Sequence, residues 1–151
     1  GQTKDGWETL SPTIKSGAAT MNDVDPKMAA SYGEKALKGG DVQQAKNLFK
    51  RYASETGGAA KSRFDAAALS KDPKLMSTLM RTQSGNINKN RAIQVRSFLE
   101  RQLANHNNTY KSARGASGDV GTYERHYRES YTQAIEQLGE IIKKGDDYYL
   151  D

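Results

Sequence analysis

Apolar side chains recur at three- and four-residue intervals between glycine and proline stops along nearly the whole chain. No run alternates with period two for long enough to make a strand. This pattern predicts an all-α domain. Asp25-Pro26 and Asp72-Pro73 are helix starts, because aspartate accepts from an orphan amide there and proline loses no hydrogen bond in the first turn. Ala29, Tyr32 and Ala36 share one face before Gly39-Gly40 stops the helix. Asp41 caps the next, which carries Val42, Ala45, Leu48, Phe49 and Tyr52 and ends before Gly57-Gly58. A short segment spans Phe64 to Leu69, and Leu75, Met76, Leu79 and Met80 mark the core side of a helix that closes before Gly85.

Two long helices finish the chain. The first runs from about Asn88 to about Ala113, roughly 39 Å at 1.5 Å per residue. Its apolar stripe is Ala92, Val95, Leu99, Leu103, His106 and Tyr110. The linker GASGDVG separates it from the second, whose stripe is Tyr127, Tyr131, Ala134, Leu138 and Ile141. The exposed face of that helix offers Glu124–Arg128 and Glu140–Lys144 pairs at i,i+4. Residues up to about Asn22 read as irregular, anchored by Trp7, Leu10 and Ile14, and residues 146–151 form an acidic, aromatic tail beyond the helix. The expectation is a single domain over residues 1–151. It has five to seven helices, with the two long C-terminal ones antiparallel and the earlier ones packed across them.

Charge is distributed unevenly on this frame. Residues 81–114 hold seven basic side chains against one acidic, whereas residues 115–151 hold four against eight. A basic block followed by an acidic one means either a surface for a polyanion or two helices that pair with each other. The overall net charge of +5 and pI near 9.3 favour acidic partners. Hydrophobic content of 35% is lean for a compact globule, which suggests an elongated helical body or one that buries further apolar surface against a partner. The chain has no cysteine, which excludes disulfides, thiolate nucleophiles, Cys-based zinc sites and iron–sulfur clusters. No apolar stretch reaches the roughly 18–20 residues that cross a bilayer. The start GQTKDGWETL has neither the basic opening nor the apolar middle of a signal peptide, and it lacks an initiator Met, as expected of a chain processed or excised from a longer protein. No compartment follows from these features beyond a soluble chain.

In the stretch SYGEKALKGGDVQQAKNLFKRYA, Gly33, Gly40-Asp41, Ala45 and Phe49 stand at the relative spacing of a helical-repeat signature. Residues 27–54 thus resemble a single tetratricopeptide-type hairpin. The resemblance implies close approach of two helices at the small residues, chain reversal at Gly-Asp and an aromatic plug. No second repeat follows, Ala29 stands where that motif has an aromatic, and no proline follows Ser54, so an ordinary antiparallel hairpin accounts for the same residues.

Lys89, Arg96, Lys111 and Arg114 fall within about a 60° sector at 100° per residue, beside the apolar stripe of the first long helix. They are the candidate polyanion surface, interrupted by Glu100 and surrounded by asparagines whose amides suit phosphate or base edges; Arg91 and Arg101 point elsewhere. The alternative is a solvated face answered by the acidic last helix. Arg101-Gln-Leu-Ala-Asn-His106 places an arginine and a histidine on a helix with four residues between them. These six residues resemble the catalytic motif of HEPN-domain ribonucleases, although Gln102 departs from that family's preference. The resemblance implies metal-independent RNA cleavage, with His106 transferring protons and Arg101 meeting phosphate charge. Outside that resemblance, His106 is a core histidine of the apolar stripe.

His126 stands among charges and reads as a surface residue without partners for a metal site. Gly115, Gly118 and Gly121 read as an inter-helix turn, not a phosphate loop, since the segment follows a helix and lacks GK[ST]. Tyr123, Tyr127 and Tyr131, four apart, suit core packing with hydroxyls at the rim, and Met76 and Met80 are core. No metal, cofactor or small-molecule ligand is indicated. The expected role is a non-enzymatic helical interaction module, or a structural component of a larger assembly, that meets a protein partner or a polyanion. The alternatives are nucleic-acid binding and the ribonuclease.

Overall fold

A computed structural model describes residues 6–55 and 60–150. Seven helices are found among them: α1 (Trp7–Lys15), α2 (Pro26–Lys38), α3 (Val42–Glu55), α4 (Ala60–Leu69), α5 (Pro73–Leu79), α6 (Lys89–Thr109) and α7 (Gly118–Lys144). No strand occurs among the described residues, where β pairing is limited to a single bridge between Arg81 and Ile87. The expected stop at Gly57-Gly58 lies outside the described residues.

Local chemistry sets most boundaries. Asp41 Oδ1 accepts from the Gln44 amide, Asp72 Oδ1 from Lys74 and Leu75, and Asn88 Oδ1 from Arg91, so α3, α5 and α6 each open on a side-chain cap. Gly40, at φ +81°, makes the left-handed turn between α2 and α3 that residues with a Cβ rarely adopt. Across that hairpin the Phe49 ring lies against Gly33, closing to 2.8 Å of where a Cβ would stand.

Residues 6–22 are not irregular as expected. Trp7–Lys15 is helical despite Pro12, and Met21–Asp23 adds a 3-10 turn in which the Thr20 amide donates to Asp23 at 2.7 Å. Tertiary packing offsets the missing Pro12 amide: Trp7 is buried and stacks on Tyr32 of α2 with centroids 5.5 Å apart. The first long helix is also shorter than expected. It ends at Thr109, and a separate 3-10 turn spans Lys111–Ala113. Conversely α7 begins inside the glycine-rich segment at Gly118, so Gly121 is helical and buried, tight against the Ala116 carbonyl.

The helices α6 and α7 pack antiparallel, with contacts running from Lys89 beside Gly145, through Arg96 beside Gly139, to His106 beside Glu124. The α2–α3 hairpin, α4 and α5 close over them, and α2, α4 and α5 all reach α7. Tyr32, Leu37, Leu48, Phe49, Met76, Met80, Leu99, Tyr131, Leu138 and Ile141 are the large side chains at the centre. The segment after Gly145 leaves the helix, as expected, and then folds back. Asp146 accepts from the Ile87 amide at 2.9 Å, and Tyr148 is buried, its hydroxyl accepting from Gln137. No helix among the described residues is long and apolar enough to cross a membrane.

Candidate functional site

Two polar constellations stand out, one sealed in the body and one open at its surface. The sealed one begins on α7, where a four-residue repeat of tyrosines meets α6. Tyr110, His106, Tyr127 and Tyr131 stack in a column with successive centroids 4.9, 4.2 and 4.1 Å apart, and Tyr123 leans on its flank. His106 is buried as the stripe predicts, and its Nε2–H donates to the Glu124 carbonyl at 3.2 Å. Burial holds its pKa below the ordinary value even though Glu124 pulls the other way, which keeps the ring neutral.

Glu124 corrects an expectation. The pair with Arg128 forms, at 2.8 Å, but on a buried carboxylate and not on an exposed face. The Arg128 hydrogen bond lowers the pKa of Glu124, with Arg114 at 3.7 Å adding to the effect. His126 corrects another, for it is buried, donates from Nε2 to the Leu69 carbonyl at 2.7 Å, and is shifted down by burial. At the far end of the column the Tyr131 hydroxyl donates to Asp65, whose carboxyl burial pushes up to about 6. His106, Glu124, His126, Tyr131 and Asp65 each have a partner, so this constellation fixes the packing of α4, α6 and α7.

The candidate polyanion residues do not share one free face. Lys89 lies over Gly145 and Arg96 over Gly139, both on the α7 side of α6, and Arg114 bonds Asn107 while facing Glu124. Lys111 stays exposed on the turn after α6. Arg101 and His106 are likewise separated. Five residues of helix turn them about 140° apart; the histidine is sealed in the ring column and the arginine is exposed on a different face.

The open constellation is where Arg101 points. A cavity of about 560 Å³ lies between α4, α5 and α6, lined by Arg63, Phe64, Thr78, Leu79, Arg81, Arg91, Gln94, Val95, Phe98 and Arg101. Arg91, Gln94, Val95, Phe98 and Arg101 form a second stripe on α6, turned away from α7. Val95 is buried at the floor, Phe64, Leu79 and Phe98 are half-buried, and Arg91, Gln94 and Arg101 are exposed at the rim. Two arginines are held by backbone carbonyls: Arg81 donates to Gly85 at 2.8 Å and Tyr148 at 2.9 Å, and Arg91 donates to Leu79 at 3.1 Å. Arg63 Nε is shut from solvent without a hydrogen-bond partner.

No carboxylate lines this cavity among the described residues. Carbonyls orient a guanidinium but leave its full charge, so the site is pre-positioned and not neutralised. Chemically it can hold an anion above an apolar floor. Sequence reasoning missed it, although the α6 stripe of 91, 94, 95, 98 and 101 was there to be read. No three His, Asp or Glu side chains among the described residues stand close enough to share a metal ion. The chain matches no family model, no curated protein and no solved structure.

Proposed function

We propose that this chain is a non-enzymatic helical interaction module that engages an anionic partner through the cavity side of α6. One observation carries the proposal: Arg63, Arg81, Arg91 and Arg101 line a single cavity that has no acidic residue among its described lining. Convergent like charges repel, so a fold that gathers them without a counter-charge is less stable than one that scatters them, unless a ligand supplies the charge. The α7 side of α6 contributes less. Glu124 answers Arg114, and Arg96 lies 3.7 Å from Glu100.

The ribonuclease alternative needs Arg101 and His106 at one scissile phosphate, and the geometry lends it no support. The test is binding of short RNA, DNA and polyglutamate across a salt series, with RNA integrity followed in the same samples. The combined variant Arg91→Glu, Arg101→Glu should lose polyanion binding and keep its helical content. The Lys89→Glu, Lys111→Glu variant should lose far less. Equal losses from both variants would return the surface to the whole of α6. Binding unaffected by Arg91→Glu, Arg101→Glu would remove the cavity from the function.

A further inference from the structure

Building on the anion-binding role proposed above, we infer that the cavity between α4, α5 and α6 is a seat for one nucleotide of a single-stranded nucleic acid. The base would lie on the apolar floor at Phe64 and Phe98, and the flanking phosphates would meet Arg63, Arg91 and Arg101. The choice of cation points this way. The cavity takes four of the chain's nine arginines and, among the described lining residues, none of its fourteen lysines. A bare polyanion surface is served equally by either cation. The planar guanidinium, in contrast, binds phosphate bidentately and stacks on a base.

The floor adds a second argument. Half-buried phenylalanines on two different helices, with Leu79 and Val95 beside them, make an apolar bed under a charged rim. Single-stranded nucleic acid is bound in this way, by aromatic stacking within a basic groove, and the match is tolerant of sequence because every base has a π-face. A duplex keeps its bases paired and stacked away from such a pocket, so it would reach only the rim. The cavity volume of about 560 Å³ lies within the usual range of ligand sites and is ample for one base with its sugar. Arg63, on α4, lines the same wall and adds its positive charge there.

The experiment compares, by fluorescence anisotropy on the full chain, a mixed-sequence single-stranded RNA, an abasic oligomer of the same length and charge, the matching duplex, and polyglutamate. Thermal melts establish that each variant is folded. The expected result is at least about tenfold tighter binding of the single strand than of the abasic oligomer. Phe98→Leu, which keeps the apolar bulk and removes the ring, should bring that ratio close to one without changing affinity for the abasic oligomer. Arg101→Gln should weaken both and reduce the salt slope by about one. Equal affinity for the single strand and the abasic oligomer would overturn the base seat while leaving the anion-binding role intact. Preference for polyglutamate over both oligomers would overturn it in favour of an acidic protein partner. Absence of binding to all four probes at low salt would overturn both the seat and the role it rests on.

Discussion

Asp65 shows how one side chain sets a pH dependence for the fold. Burial, with the charge of Glu34 adding and the Tyr131 hydrogen bond opposing, lifts its pKa from 3.8 to about 6. A carboxyl whose folded pKa is raised holds its proton more tightly in the native state, so it contributes stability below about pH 4 that is lost as the pH rises through 6. His106 and His126 work in the opposite sense. Burial lowers both, so what they contribute is present above the unfolded value of 6.5 and is lost as the pH falls through their folded values. Replacing Asp65 separates the two effects. Asp65→Asn keeps an acceptor for the Tyr131 hydroxyl and cannot ionise. Urea unfolding should find it more stable than the parent by about 1–3 kcal/mol at pH 7, and indistinguishable from it near pH 4. A variant less stable at pH 7 would mean that the hydrogen bond from Tyr131 to the ionised carboxylate outweighs its desolvation.

Between elements, α2 and α3 approach each other closely at Gly33. A Cβ there would come within 2.8–3.1 Å of three ring atoms of Phe49, and that ring is too deeply buried to swing aside. Gly33→Ala gains up to about 1 kcal/mol of helix propensity but overpacks the α2–α3 seam, so a net loss of about 1–2 kcal/mol is expected. Chemical denaturation of Gly33→Ala, Phe49→Leu and the double variant checks this. The double variant should be more stable than the sum of the singles allows, because leucine vacates the space the new methyl needs. This seam was legible in the sequence, since Gly33, Gly40, Ala45 and Phe49 are spaced as a tight hairpin requires. The α6–α7 pairing was legible too, from two stripes of helical period. What escaped was the second buried face of α7. Glu124 lies three residues before Tyr127, on the core stripe, yet its charge alone assigned it to solvent. His126 falls on a stripe with Ser130 and Ala134 that α4 covers, and no pattern within α7 says that two neighbours enclose it. Pro12 misled in the other direction, for the Trp7–Tyr32 stack that holds α1 together is a contact between distant parts of the chain.

Over the whole molecule, the basic block of residues 81–114 divides into two functions that a linear count cannot separate. On the α7 side, Lys89 and Arg96 of α6 lie over Gly145 and Gly139, and Arg114, on the turn after α6, lies 3.7 Å from Glu124, so part of the charge is used in assembling the fold. The other side sends Arg91 and Arg101 to meet Arg63 from α4 and Arg81, whose guanidinium is fixed by the carbonyl of Tyr148 in the returning C-terminal segment. Only the tertiary fold unites those four, which is why a site composed from three helices and a turn was invisible while each contributing helix was not. Their convergence carries an energetic consequence that can be measured without any ligand. Unanswered arginines raise the energy of the folded state at low ionic strength, and sites kept for binding often show this cost in stability. Arg101 has no ion pair or hydrogen bond among the described residues, so Arg101→Gln removes charge and little else. Its melting temperature should exceed that of the parent by roughly 1–2 °C in dilute buffer and converge with it near 1 M salt, where the Debye length is about 3 Å. The control is Lys144→Gln, which removes the same charge from a residue already paired with Glu140 at 3.4 Å and should give no such gain. If Arg101→Gln and Lys144→Gln behave alike at every salt concentration, the arginines are no more crowded than any other surface charges, and the energetic ground for a ligand at this cavity disappears.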